Sequence, residues 1–170
     1  MAANDSDSSE QGAGWPVEYL PAAALRDRLE EEVSRAGRQG TPLSCLVLGV
    51  EDLDEIERVH GGELARQIQA YVGLALRGEL RRFDRVGFAG GEALAVVLPG
   101  ADGPRAEVVA RRLLARLRAL KLQENGTRRG LRMAVGLGTW REGASAQSLL
   151  AEAHAAMGRE RLGFRDALRL

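Results

Sequence analysis

The chain has 170 residues, 45% of them hydrophobic and only 4% aromatic, so it is sized for one domain with an aliphatic core. Its 24 basic and 24 acidic side chains cancel, which removes the electrostatic case for general nucleic-acid or membrane-surface binding. The single cysteine, Cys45, excludes an internal disulfide and a cysteine-based zinc site.

Residues Met1 to Gly14 are small, polar and acidic and read as a disordered tail, leaving 15–170 as one domain. Trp15 to Pro21 is a transition. Leu25, Leu29 and Val33 recur at helical spacing within Ala22–Arg38, and Gly37 and Gly40 end that helix. Leu43 to Val50, LSCLVLGV, is a continuous apolar run and predicts a buried strand, with Cys45 as packing. Leu53 to Arg77 has a helical pattern with an interruption at Gly61-Gly62. Phe83–Ala89 and Glu92–Leu98 flank Gly90-Gly91, the local signal for a tight β-hairpin.

Pro104 to Leu120 predicts a helix, with Pro near its start and Val108, Leu113, Leu114 and Leu117 as its apolar face. Gln123 to Gly130 reads as a polar loop, Leu131 to Trp140 as a glycine-containing strand, and Ser145 to Arg161 as a final helix capped by Ser145. The order points to an α/β fold, a central mixed sheet flanked by helices in a single domain. No apolar stretch approaches the roughly 20 residues needed to cross a bilayer, and no leader is legible. A cytoplasmic location is expected. His60 and His154 have no metal-ligating partner one turn on, so both read as structural or surface residues.

Several pieces in order carry a resemblance: Pro42–Leu48, the Gly90-Gly91-Glu92-Ala93-Leu94 hairpin, Leu98-Pro99-Gly100-Ala101-Asp102, Met133–Gly136 and Ala151-Glu152. From about Pro21 to Gly163 the chain resembles the GGDEF domain, the bacterial diguanylate cyclase family, which joins two GTP molecules into cyclic di-GMP. The resemblance implies the nucleotide-cyclase-like fold. It also implies that hard Mg²⁺ ions need carboxylates at the end of the first strand and in the signature. Here Gly49 occupies the strand-end position. The signature reads Gly90, Gly91, Glu92, Ala93, so one acid persists and the next is lost. Phe88 stands where the family usually has Arg, and Glu63 lies near a guanine-contacting acid position.

On these departures the expectation is a degenerate domain that is not an enzyme, with no metal and no cofactor. The letters EAL at Glu92–Leu94 do not make the phosphodiesterase of that name. Val96 holds its Arg position, and the chain is too short for its barrel of about 250 residues.

The family's product-inhibition site, the I-site, is marked by R-x-x-D. Arg81-Arg82-Phe83-Asp84 matches it, with Arg85 to Ala89 separating Asp84 from Gly90. Arg112 falls at a further I-site arginine on the next helix. An Arg fork bonds phosphate or the guanine O6/N7 edge bidentately, and an Asp accepts from guanine N–H donors. Cyclic di-GMP is the expected ligand through Arg81, Asp84 and Arg112, with a homodimer or protein partner bridged by it. Two readings stand beside this. Arg supplies all positive side chains but Lys121, so a chance R-x-x-D is easily met. The fold also suits an interaction module with no nucleotide binding.

Overall fold

In the computed structural model, which describes residues 19–51, 53–90, 93–124 and 127–168, eleven elements follow in order. They are α1 (Ala22–Gln39), β1 (Leu43–Val50), α2 (Leu53–His60), α3 (Gly62–Glu79), β2 (Arg85–Gly90) and β3 (Ala93–Pro99). Then come α4 (Gly103–Arg118), β4 (Lys121–Glu124), β5 (Thr127–Gly130), β6 (Met133–Thr139) and α5 (Ala146–Leu168). The tail expected over Met1–Gly14, and Trp15 after it, lie outside the described residues.

Four strands form the main sheet in the order β2-β3-β1-β6. β1 is central because it is apolar on both faces, as an inner strand must be. Its Leu46 and Leu48 join one core with α2, α3 and α4; its Leu43, Cys45 and Val47 join the other with α1 and α5. Leu46 pairs with Val96 of β3 on one side and Leu137 of β6 on the other. The named ladders are all antiparallel. The parallel component is one bridge, Leu20 beside Gly87. There the Leu20 N–H donates to Val86 O and the Phe88 N–H donates to Leu20 O, both at 2.9 Å. A Cβ at Gly87 would stand 2.7 Å from the Leu20 carbonyl oxygen, so glycine is what lets the two backbones meet.

The glycines of β6 have a similar cause. A Cβ on Gly136 would overlap the Ala153 carbonyl oxygen and the Met157 nitrogen of α5, and one on Gly138 would stand 2.7 Å from Leu149 O. α5 therefore rests on bare backbone. Ser145 caps this helix as expected, accepting from the Ser148 N–H at 3.0 Å. At the other end, α5 supplies Glu160, whose Oε2 accepts from the Val135 N–H at 2.6 Å on the sheet edge.

Three expectations change. The interval 123–130 is no loop: β4 and β5 form a separate two-stranded ribbon, Gln123 opposite Arg128 and Glu124 opposite Thr127. The sequences KLQE and TRRG carry no apolar alternation, so the strand period is absent from them. The Asn-Gly pair at 125–126, outside the described residues, is the signal that reveals such a hairpin. Val108 leaves the apolar face of α4 and is exposed. The buried stripe is Ala106, Ala110, Leu113 and Leu117, and Val108 is two residues, about 200°, out of phase with it. Phe83 lies outside β2, in the turn that precedes it.

Candidate functional site

The residues singled out above fall at the two ends of β2. At its start, α3 closes with the Leu80 N–H donating to Leu76 O, and Arg81–Asp84 form a tight turn in which the Asp84 N–H donates to Arg81 O at 3.1 Å. Asp84 folds back into this turn. Its Oδ2 accepts from the Arg81 backbone N–H at 2.7 Å, and its Oδ1 lies 3.3 Å from Arg81 Nη2. The same Nη2 donates to the Pro99 carbonyl at 2.9 Å, tying the turn to the end of β3. Asp84's side chain is 2% exposed and Arg81's 57%, so the carboxylate is a buried brace and the guanidinium an open face. Arg85 Nη1 adds bonds to Arg82 O and Asp84 O, at 2.9 and 3.0 Å.

Arg112 is exposed on α4. One turn on, Arg116 lies against Gly78 and pairs with Glu79 at 3.4 Å, so that face of α4 looks toward the end of α3, where the Arg81 turn begins. The structure thus joins Arg81 to Asp84 directly. Arg112 has its place on a neighbouring helix face, and among the described residues no hydrogen bond or ion pair links it to either.

Sequence reasoning gave no weight to Phe83, which is 71% exposed between these two residues. It borders a hollow of about 260 Å³ shared with Pro99, Gly100, Arg28 and Arg35. Glu32 on the wall is 3% exposed and paired to Arg28 and Arg35 at 3.5 and 3.1 Å. An aromatic inside R-x-x-D was the available signal.

The far end of β2 carries the signature. Gly49 is buried on β1 opposite Ala134. It borders a space of about 10 Å³ with Leu53, Val72, Leu94 and Met133, at the lower limit for a single water. Gly90 has φ +110°, and the β2–β3 ladder shifts register there, Gly90 pairing with Ala93. Gly91 and Glu92 lie outside the described residues, as does Asp52. Phe88 is buried and packs on Tyr19, ring centroids 5.7 Å apart. Glu63 is exposed and bonded to Arg66 at 2.8 Å, which holds its carboxyl below the ordinary value.

As donors for Mg²⁺, Gly49 and Ala93 provide no side-chain oxygen. Among the described residues no three His, Cys, Asp or Glu side chains gather as a metal set. No helix among them is long and apolar enough to cross a membrane.

Comparison with known proteins places this geometry. The family profile "Diguanylate cyclase, GGDEF domain" matches residues 22–166. Diguanylate cyclase DgcP of Pseudomonas aeruginosa is 28% identical over 166 residues, which is 95% of this chain and 24% of DgcP. The chain thus spans about a quarter of that relative's length. Among solved structures, the GGDEF domain of DgcB from Caulobacter crescentus, in complex with c-di-GMP, superimposes with TM-score 0.80 at 17% identity, over 96% of this chain and 92% of that one. Diguanylate cyclase SiaD of Pseudomonas aeruginosa, in complex with its activator SiaC, gives 0.78 at 23%, over 86% and 56%.

These matches correct one expectation. The lost signature acids led to a domain that is not an enzyme. The profile that matches is that of the cyclase domain, and the curated relative is itself named a diguanylate cyclase. The match over residues 22–166 includes the substituted positions, so the loss of two acids does not by itself support that expectation.

Proposed function

Because this chain belongs to the GGDEF domain family, whose profile spans residues 22–166, we propose that it serves cyclic di-GMP signalling by binding that dinucleotide through Arg81 and Arg112, with Asp84 orienting Arg81. The observation that carries the reading is the braced turn. Asp84 is held inside by two bonds to Arg81, and the Arg81 guanidinium is left open beside it. Pre-setting a charged fork in this way lowers the ordering cost of binding a phosphate or a guanine edge. Arg112, exposed and with no acidic partner among the described residues, supplies a second cation on the adjacent helix. A solved neighbour of the same fold holds this ligand.

Two phosphates and two guanines on one ligand suit a bridge between two copies or to a protein partner, and such a role belongs in the cytoplasm. Calorimetry on the whole chain tests the reading. Micromolar or tighter binding that is lost in Arg81→Ala supports it. Absence of heat at high ligand concentration leaves the interaction module instead.

The relatives' names favour a second reading, synthesis of the dinucleotide by the domain itself. Product formation from Mg²⁺–GTP, abolished by Glu92→Ala, would establish it.

A further inference from the structure

We propose that His154 is a positioning residue for the hairpin that joins β2 to β3. Its Nε2 lies 3.0 Å from the backbone carbonyl oxygen of Ala89, 65 residues away in the chain. A carbonyl can only accept, so Nε2 is the protonated nitrogen in this contact.

The place of the contact gives it meaning. Phe88 pairs with Leu94 and Gly90 with Ala93, so Ala89 sits in the irregularity between them. A bulged residue loses its ladder partner, and its polar groups need one from elsewhere. The imidazole supplies it. The next residue, Gly90, has φ +110°, and the segment 90–93 starts there. A glycine in that region imposes little restraint of its own. The course of the chain into Gly90 is therefore set by what holds Ala89.

The mount is rigid. α5 is pressed on β6 by the close approach of Gly136 to Ala153 and of Gly138 to Leu149, so the residues flanking His154 are anchored to the sheet. The imidazole also borders the cleft of about 620 Å³ between α1 and α5, with Arg26, Asp27 and Leu150. Removing the ring enlarges an open cleft and leaves the core untouched.

The inference is separate from ligand binding at Arg81. Asp84 and Gly90 are six strand residues apart, about 20 Å. Failure of either therefore does not imply failure of the other.

Amide hydrogen exchange of the whole chain tests it in wild type, His154→Ala and His154→Gln. Exchange at Gly90, Ala93 and Leu94 should quicken about tenfold in His154→Ala, with α5 and β6 unchanged and Tm close to wild type. His154→Gln, which keeps an N–H donor, should recover most of the protection. An unchanged hairpin in His154→Ala would overturn the proposal. So would faster exchange spread over α5 and β6, or a glutamine variant no better than alanine. Nitrogen-15 NMR of the wild-type histidine is a second check that needs no variant: neutral His154 should be the Nε2–H tautomer, and the Nδ1–H tautomer would sink the idea.

Discussion

The Arg81 backbone N–H donates to Asp84 Oδ2 at 2.7 Å while the same arginine's guanidinium reaches Oδ1 at 3.3 Å. One carboxylate thus closes the turn and orients the side chain of the residue it closes on. If the proposed ligand binds here, a change at Asp84 therefore alters stability and binding together.

Asp84→Ala removes the acceptor of a backbone N–H in a turn where the aspartate side chain is 2% exposed. A donor left without its partner costs about 1–3 kcal/mol. Urea unfolding should show a loss of that size, with weaker cyclic di-GMP binding alongside it. Asp84→Asn, which keeps one acceptor oxygen, should recover part of the stability.

Arg81→Ala and Arg112→Ala separate differently. Hydrogen bonds to charged groups contribute roughly 1.5–3 kcal/mol, so each change should weaken cyclic di-GMP binding about tenfold to a hundredfold. Arg112 is exposed and makes no hydrogen bond or ion pair among the described residues, so its variant should melt with the wild type. Arg81→Ala should also lower Tm slightly through the lost bond to Pro99 O. A ligand affinity untouched by Arg112→Ala would remove that residue from the site.

Gly136→Ala places a methyl group into the backbone of α5 at Ala153 and Met157. No rotamer change relieves a clash with backbone. The helix must lift or shift, and a cost of about 1–3 kcal/mol or more is expected in thermal or urea unfolding. Gly143→Ala meets no atom but has φ +85°, so its smaller loss would measure backbone strain alone.

Cys45 is fully buried in β1, and burial raises its thiol from 9.0 to about 12. The thiolate is the reactive form, so a thiol reagent at pH 8 should label native protein only as fast as it unfolds. The raised value also fixes a sign. Above pH 9.0 the unfolded chain sheds a proton that the native chain keeps, so this group's share of stability falls as pH rises toward 12. Cys45→Ser should flatten that slope.

Local pattern was enough for the elements that bury a face. β1 was legible to the residue because LSCLVLGV is apolar on both sides, and α1 and α4 because their apolar residues recur at one period. The cap at Ser145 was equally readable, since a cap depends on neighbours in the chain. The ribbon of β4 and β5 escaped because KLQE and TRRG have no apolar alternation, so only the Asn-Gly pair between them spoke for it.

The remaining features depend on contacts between distant segments. Asp84 turning inward, Arg116 settling over Gly78, α5 resting on Gly136, and His154 meeting Ala89 across 65 residues leave no periodic trace. They exist only once the sheet brings those backbones within a few ångströms. Composition and spacing state which groups are available; the packing of helix on strand decides which atoms they reach.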